Sequence, residues 1–92
     1  MTIRWSSESR DDVDRLADFV AAFDVERAGA IEQELSQAPK GLLQFPRRGF
    51  RLREFDPREI REFRVGSYLM RYELVGKDIV VLRFFHARED RF

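Results

Sequence analysis

The sequence predicts an α+β fold: an N-terminal strand, a helical hairpin, then a three-stranded antiparallel meander with both helices packed on one sheet face. Three observations carry this. Before residue 40, apolar residues recur at helical spacing in two blocks. After residue 59 their period changes to two. Two Gly-X pairs, Gly66-Ser67 and Gly76-Lys77, then divide the C-terminal third as two-residue type II′ turns would. A chain of 92 residues is predicted to form one domain, residues 1–92. Such a domain buries only about 60% of the surface its unfolded chain exposes, so a partner that covers apolar surface would add stability.

Thr2–Trp5 reads as a short strand. The stretch SSESRDD then starts a helix. Ser9 and Asp12 have capping-box spacing, and acids crowd the first turn, where they bear on the helix dipole. Val13, Leu16, Ala17, Val20 and Phe23 follow on one helical face. Asp24 is placed to cap a second helix, whose stripe is Ala28, Ile31, Leu35 and Ala38, ending near Pro39. Helices this close in sequence fold back on each other, and their stripes are core positions.

Residues 40–59 are punctuated by Gly41, Pro46, Gly49 and Pro57 and read as a long connection. A helical turn is expected at Leu42–Phe45 and a short extended piece around Phe50–Phe55. A long connection in a compact domain is often functional, and this one carries Arg47, Arg48, Arg51 and Arg53.

Ile60–Val65, Tyr68–Val75 and Asp78–Phe85 are the predicted strands. Counting back from the turns, Val65 faces Tyr68, Phe63 faces Met70 and Glu62 faces Arg71. Leu74 faces Ile79, Tyr72 faces Val81, Leu69 faces Phe84 and Tyr68 faces Phe85. One face then collects Phe63, Val65, Tyr68, Met70, Tyr72, Leu74, Ile79, Val81 and Phe85, and the helices are expected to cover it. Arg61 and Arg83 fall on it too. A buried arginine needs a carboxylate, which the acidic first helix can supply to Arg83. The opposite face collects Glu62, Arg64, Leu69, Arg71, Glu73, Val80, Leu82, Phe84 and His86, with no helix left to cover it. It is a candidate binding surface. A bulge would exchange the two faces.

Composition narrows the function classes. There is no cysteine and one histidine, His86, so disulfides and thiolate metal sites are excluded, and neither a zinc site nor any other metal or cofactor is expected. MTIRWSSESR has no apolar signal core, and no stretch is long enough to span a bilayer, so a soluble cytoplasmic protein with no membrane partner is expected. Net charge is zero but divided: residues 1–39 hold four arginines against nine acids, a net of −5, and residues 40–92 hold thirteen Lys and Arg against eight acids, a net of +5. The basic half is nearly all arginine, which suits bidentate contacts to phosphates and carboxylates.

The order of elements and several local motifs together resemble the RelE/ParE superfamily of bacterial type II toxins, over nearly the whole length. The motifs are Trp5 before a polar helix start, Pro46-x-x-Gly49, and Arg61-Glu62 leading to Gly66-x-Tyr68 and then Tyr72. The most specific is the ending Ile79-Val80-Val81-Leu82-Arg83-Phe84-Phe85-His86-Ala87-Arg88, which looks like the ParE-type ending. The resemblance implies a toxin held inactive by a neighbouring antitoxin. In the ParE branch the antitoxin is ParD-like, with a DNA-binding N-terminal half and a C-terminal segment, expected to be acidic, that wraps the toxin. The toxin chain alone is then not expected to bind DNA sequence-specifically. ParE-like members poison DNA gyrase; RelE-like members cut mRNA in the ribosomal A site.

Metal-free RNA cleavage needs a base, an acid and cations for the developing phosphate charge. The candidate set is His86, Arg71 and Arg61. One ribonuclease subgroup carries arginine and tyrosine where this chain has Leu69 and Ala87, which disfavours the nuclease branch. ParE-like gyrase inhibition by binding is the first reading, and a RelE-like mRNA endonuclease the alternative. The candidates for target contact are Arg47, Arg48, Arg51, Arg53, Arg64, Arg71, His86 and Arg88. For antitoxin contact they are Leu69, Val80, Leu82, Phe84 and Arg71. The order of Glu89–Phe92 is left open.

Overall fold

The computed structural model describes residues 1–89. Strand β1 (Thr2–Trp5) leads into helix α1 (Ser7–Ala21) and helix α2 (Val25–Gln37). Short 3-10 turns at Ala38–Leu42, Pro46–Arg48 and Arg53–Phe55 flank a two-residue strand, β2 (Phe50–Arg51). The chain then forms β3 (Glu59–Val65), β4 (Tyr68–Val75) and β5 (Asp78–His86). The five strands lie in the order β1-β5-β4-β3-β2. β1 runs parallel to β5, and the other pairs are antiparallel. The predicted meander is therefore the centre of a larger sheet, with the N-terminal strand on one edge and Phe50–Arg51 on the other.

The start of α1 differs from the expected cap. Ser6, not Ser9, caps the helix: its hydroxyl accepts the Ser9 N–H at 3.0 Å, and the Ser9 hydroxyl donates to the Ser6 carbonyl at 2.7 Å. Ser6 directly follows β1 and is held against β5, its N–H donating to the Val81 carbonyl at 3.0 Å. The predicted stripe buries Val13, Leu16 and Ala17. Its last member, Phe23, lies beyond the helix end and is 83% exposed. Asp24 caps α2 as expected, accepting the Arg27 N–H at 3.0 Å, and Ala28, Ile31 and Leu35 are buried. The turn after α2 is placed earlier than predicted, because Pro39 opens a 3-10 turn that buries Leu42. The core comprises these helix residues with Tyr68, Met70, Tyr72, Ile79, Val81 and Phe84.

The register follows the prediction from both hairpin turns as far as Tyr72↔Val81. There it shifts: Arg71 faces Arg83, so Leu82 is an extra residue on β5. Beyond this bulge the expected pairs Leu69–Phe84 and Tyr68–Phe85 become Leu69–Phe85 and Tyr68–His86. The faces exchange accordingly. Phe84 turns inward, fully buried, with its ring 5.7 Å from that of Trp5. Phe84 is thus a core residue, not a candidate contact, and His86 lies on the helix side.

The face away from the helices is also less open than predicted. Ile60 lies on it by alternation, yet is 2% exposed. Residues 52–58 fold back across it: the Leu52 N–H donates to the Ile60 carbonyl at 2.8 Å, and Arg58 forks onto Glu73 at 2.7 and 3.0 Å. The Arg71 guanidinium lies 5.4 Å from the Phe55 ring centre and 5.2 Å from that of Phe85. Leu69, Val80 and Leu82 are left half-buried.

One buried tyrosine pins the long connection. The Tyr72 hydroxyl donates to the Pro46 carbonyl at 2.7 Å and accepts the Gly49 N–H at 2.9 Å. A Cβ at Gly49 would stand 2.5 Å from that hydroxyl and 3.0 Å from the Glu62 carbonyl. Gly49 has ordinary extended backbone, so its requirement is steric. Gly49→Ala is expected to destabilise the protein by about 1–3 kcal/mol, the range for overpacking a filled site, measured as a shift in the urea midpoint.

Candidate functional site

β1 ends at Trp5, opposite Val81, while β5 continues to His86. The β5 edge beyond Val81 is therefore left without a strand, and unpaired backbone groups there would be costly. Side chains take the strand's place. The Ser6 hydroxyl donates to the Leu82 carbonyl at 2.8 Å. The buried Asp12 carboxylate accepts the Phe84 N–H at 2.9 Å. Arg15 reaches the Phe84 carbonyl at 3.5 Å, and Glu89 accepts the His86 N–H at 3.3 Å. Asp12 also accepts both prongs of Arg83, at 2.7 and 3.0 Å. The first helix thus supplies a carboxylate to Arg83, but Arg83 is not the buried, helix-facing arginine expected: the bulge sets it opposite Arg71, and its side chain is 42% exposed. The Asp12 hydrogen bond holds the Arg83 pKa above its ordinary value.

This edge borders a cleft of about 740 Å³ between the helical hairpin and the ends of β4 and β5. Leu16, Phe19, Val20 and Tyr68 give it apolar walls, and Arg15, Arg27, Arg88 and Glu89 line its rim. His86 stands edge-on to Tyr68, ring centres 5.4 Å apart, and its Nδ1 accepts the Arg88 N–H at 3.1 Å. A neutral His86 therefore carries its proton on Nε2. Glu89 grips Arg15 at 2.6 and 3.3 Å, raising the arginine's pKa, and Asp12 adds a longer contact at 3.4 Å. Phe19 is 72% exposed, and its ring lies 6.0 Å from that of Phe23.

The arginines of the connection are mostly engaged within the chain. Arg47 forks onto Glu59 at 2.9 and 3.0 Å. Arg51 forks onto Asp56 at 2.9 and 3.1 Å, and Arg53 lies 3.9 Å from the same carboxylate. Arg48 stacks 4.9 Å from the Phe63 ring centre. Arg61 is tied to Glu59 at 2.9 Å and to the Gly49 carbonyl at 2.7 Å. Arg71 holds Glu62 at 3.1 Å, the cross-strand pair predicted from the register. Arg64 donates to the Gly66 carbonyl at 2.9 Å. Among the described residues, Arg48, Arg64 and Arg88 form no ion pair, and no group of three or more His, Cys, Asp or Glu is arranged to hold a metal ion. No helix is long and apolar enough to cross a membrane.

The family model described as "ParE toxin of type II toxin-antitoxin system, parDE" matches residues 3–91. The chain belongs to the ParE toxin family. A solved structure titled "Chromosomal ParDE TA system from P. aeruginosa" has the same fold, with a TM-score of 0.78, 21% identity, and coverage of 94% of this chain and 95% of that one. No curated protein sequence matches it significantly.

In this ParE-family toxin, the predicted nuclease set does not converge. His86 faces the helices, Arg71 lies on the opposite sheet face beneath no helix, and Arg61 is fastened to the 46–49 turn. The structure instead brings His86 beside Arg15, Arg27 and Arg88, and of these only Arg88 was singled out from the sequence. The overlooked signal is Phe19, an apolar residue off the α1 stripe and so without a place in the core.

Burial pushes the Glu59 carboxyl up, but hydrogen bonds from Arg47 and Arg61 outweigh it and hold the group below the ordinary glutamate range. A carboxyl lowered on folding stabilises above its unfolded value, about 4.3, and that contribution is lost as pH falls through the lower folded value. Glu59→Gln is therefore expected to lower the urea midpoint at neutral pH, and its deficit against the parent should shrink in stronger acid. A deficit independent of pH would show that the pairing contributes nothing.

Proposed function

We propose that this ParE-family toxin inhibits DNA gyrase by binding, without covalent chemistry, and that a ParD-like antitoxin neutralises it in the cytoplasm through an acidic C-terminal segment. The observation that carries the reading is the separation of His86, Arg71 and Arg61. General acid–base cleavage needs its groups within hydrogen-bond reach of one phosphate, and two sheet faces cannot offer that. Binding tolerates dispersed contacts. In this reading Arg48, Arg64 and Arg88 are the arginines freest to meet an acidic target, and sequence-specific DNA contact falls to the antitoxin. Leu69, Val80, Leu82 and Arg71 remain as a second, shallower contact surface.

The RelE-like mRNA endonuclease reading keeps one specific support. His86 stands in a cleft beside Arg15, Arg27 and Arg88, an imidazole next to cations that a phosphate would suit. The purified toxin is expected to block gyrase supercoiling, and His86→Ala to retain that inhibition within about threefold, since most contact residues cost little when truncated. Ribosome-dependent mRNA cleavage that disappears in His86→Ala would replace this reading with the nuclease one.

A further inference from the structure

Residues 43–48 present apolar side chains to solvent from a backbone that is fastened from within. Leu43 is 45% exposed and Phe45 60%. With Gln44, Pro46, Arg47 and Arg48, Phe45 borders a groove of about 680 Å³. Phe50, on the edge strand β2 just beyond it, adds a ring that is 76% exposed. Resting on the gyrase reading, we propose that this surface is where the toxin meets its target protein, and that the partner offers it an apolar side chain flanked by carboxylates.

The ties in this segment fix its backbone, not its exposed side chains. The buried Tyr72 hydroxyl holds the Pro46 carbonyl and the Gly49 N–H. Arg61 donates to the Arg47 and Gly49 carbonyls at 3.2 and 2.7 Å. The Arg47 side chain is itself forked onto Glu59 of β3. Pro39 and Leu42, just before the segment, are buried, so Leu43 stands where the core ends. Phe45 and Arg48 are therefore displayed on a turn that is already ordered. A preorganised surface loses little freedom on binding, and an exposed apolar patch rimmed by polar groups is characteristic of a contact surface.

Charge complementarity names the occupant. Among the described residues, Lys40 and Arg48 form no ion pair. Arg48 instead lies over the Phe63 ring, which steadies its guanidinium beside the groove that it lines. Apolar rings between unmatched cations fit a protein surface that pairs an apolar side chain with carboxylates. A nucleic acid is the poorer fit. Phosphates call for a stripe of unmatched cations, and the adjoining Arg47 and Arg51 already hold Glu59 and Asp56. A second copy is also the poorer fit, because a twofold contact would set this basic patch against itself.

The test is inhibition of gyrase supercoiling by the full-length toxin, with its urea midpoint and its affinity for the antitoxin encoded beside it measured in parallel. Phe45→Ala and Arg48→Glu are each expected to raise the half-inhibiting toxin concentration by about tenfold, the scale of a central interface contact. The urea midpoint and the antitoxin affinity should stay unchanged. Val75→Ala, at the exposed end of β4, should leave inhibition at the parent level. Undiminished inhibition by both turn variants of an active parent overturns this inference and leaves the gyrase reading intact. A parent that does not inhibit gyrase removes that reading and this inference with it. Antitoxin affinity lost in step with inhibition in both variants also overturns the assignment. So does binding of a single-stranded oligonucleotide, or dimerisation seen by sedimentation, that Phe45→Ala abolishes; the surface would then belong to a nucleic acid or to a second copy.

Discussion

A carboxylate that stands in for a missing strand organises this protein. β1 covers only the first half of β5, and the Phe84 N–H beyond it would face the interior unpaired. Asp12 accepts that N–H and both prongs of Arg83. A buried carboxylate is tolerable only with such partners. Its geometry fixes the rotation and depth of α1 against the sheet, because Asp12 sits one residue before the core residue Val13. The hairpin, and the cleft between its tip and the sheet, inherit that position.

The same edge explains the bulge. Consecutive carbonyls of a regular strand point to opposite sides. Yet Ser6 takes two in succession: its N–H bonds the Val81 carbonyl and its hydroxyl the Leu82 carbonyl. An extra residue at Leu82 allows both to face Ser6. The outcome is a fold whose inward residues change parity in mid-strand. Ile79 and Val81 lead inward before the bulge, Phe84 after it. Without it Phe84 would face outward and His86 would leave the cleft.

This locates what a sequence can and cannot disclose. The helices, both hairpin turns and the register near them follow from local rules: periodicity, an Asp cap, and glycines with φ of +60° and +58° at Gly66 and Gly76. That the acidic first helix would meet Arg83 was also legible, although the bulge leaves this arginine partly exposed and not buried as expected. The bulge was not. It depends on hydrogen bonds between Ser6 and residues more than seventy positions away, and nothing in VLRFFHARED marks Leu82 as the extra residue. One undetected residue then misassigned Phe84 and His86 to the outer face and hid the cleft.

Charge distribution completes the picture. An acidic N-terminal and a basic C-terminal half suggest a surface prepared for a polyanion, but much of that charge is matched internally. Arg83 with Asp12 and Arg15 with Glu89 join the two halves, while Arg47, Arg51, Arg58 and Arg71 find acids within the second. The solvent-exposed pairs among these contribute little to stability. They nevertheless decide where positive charge remains available. Around the cleft, Arg27 and Arg88 stand unmatched among the described residues, next to apolar walls that no part of the described chain covers. Net charge is therefore a poor guide to where positive charge stays available in this toxin. That is set by which arginines the fold leaves without acids, and it depends on where Asp12 holds α1.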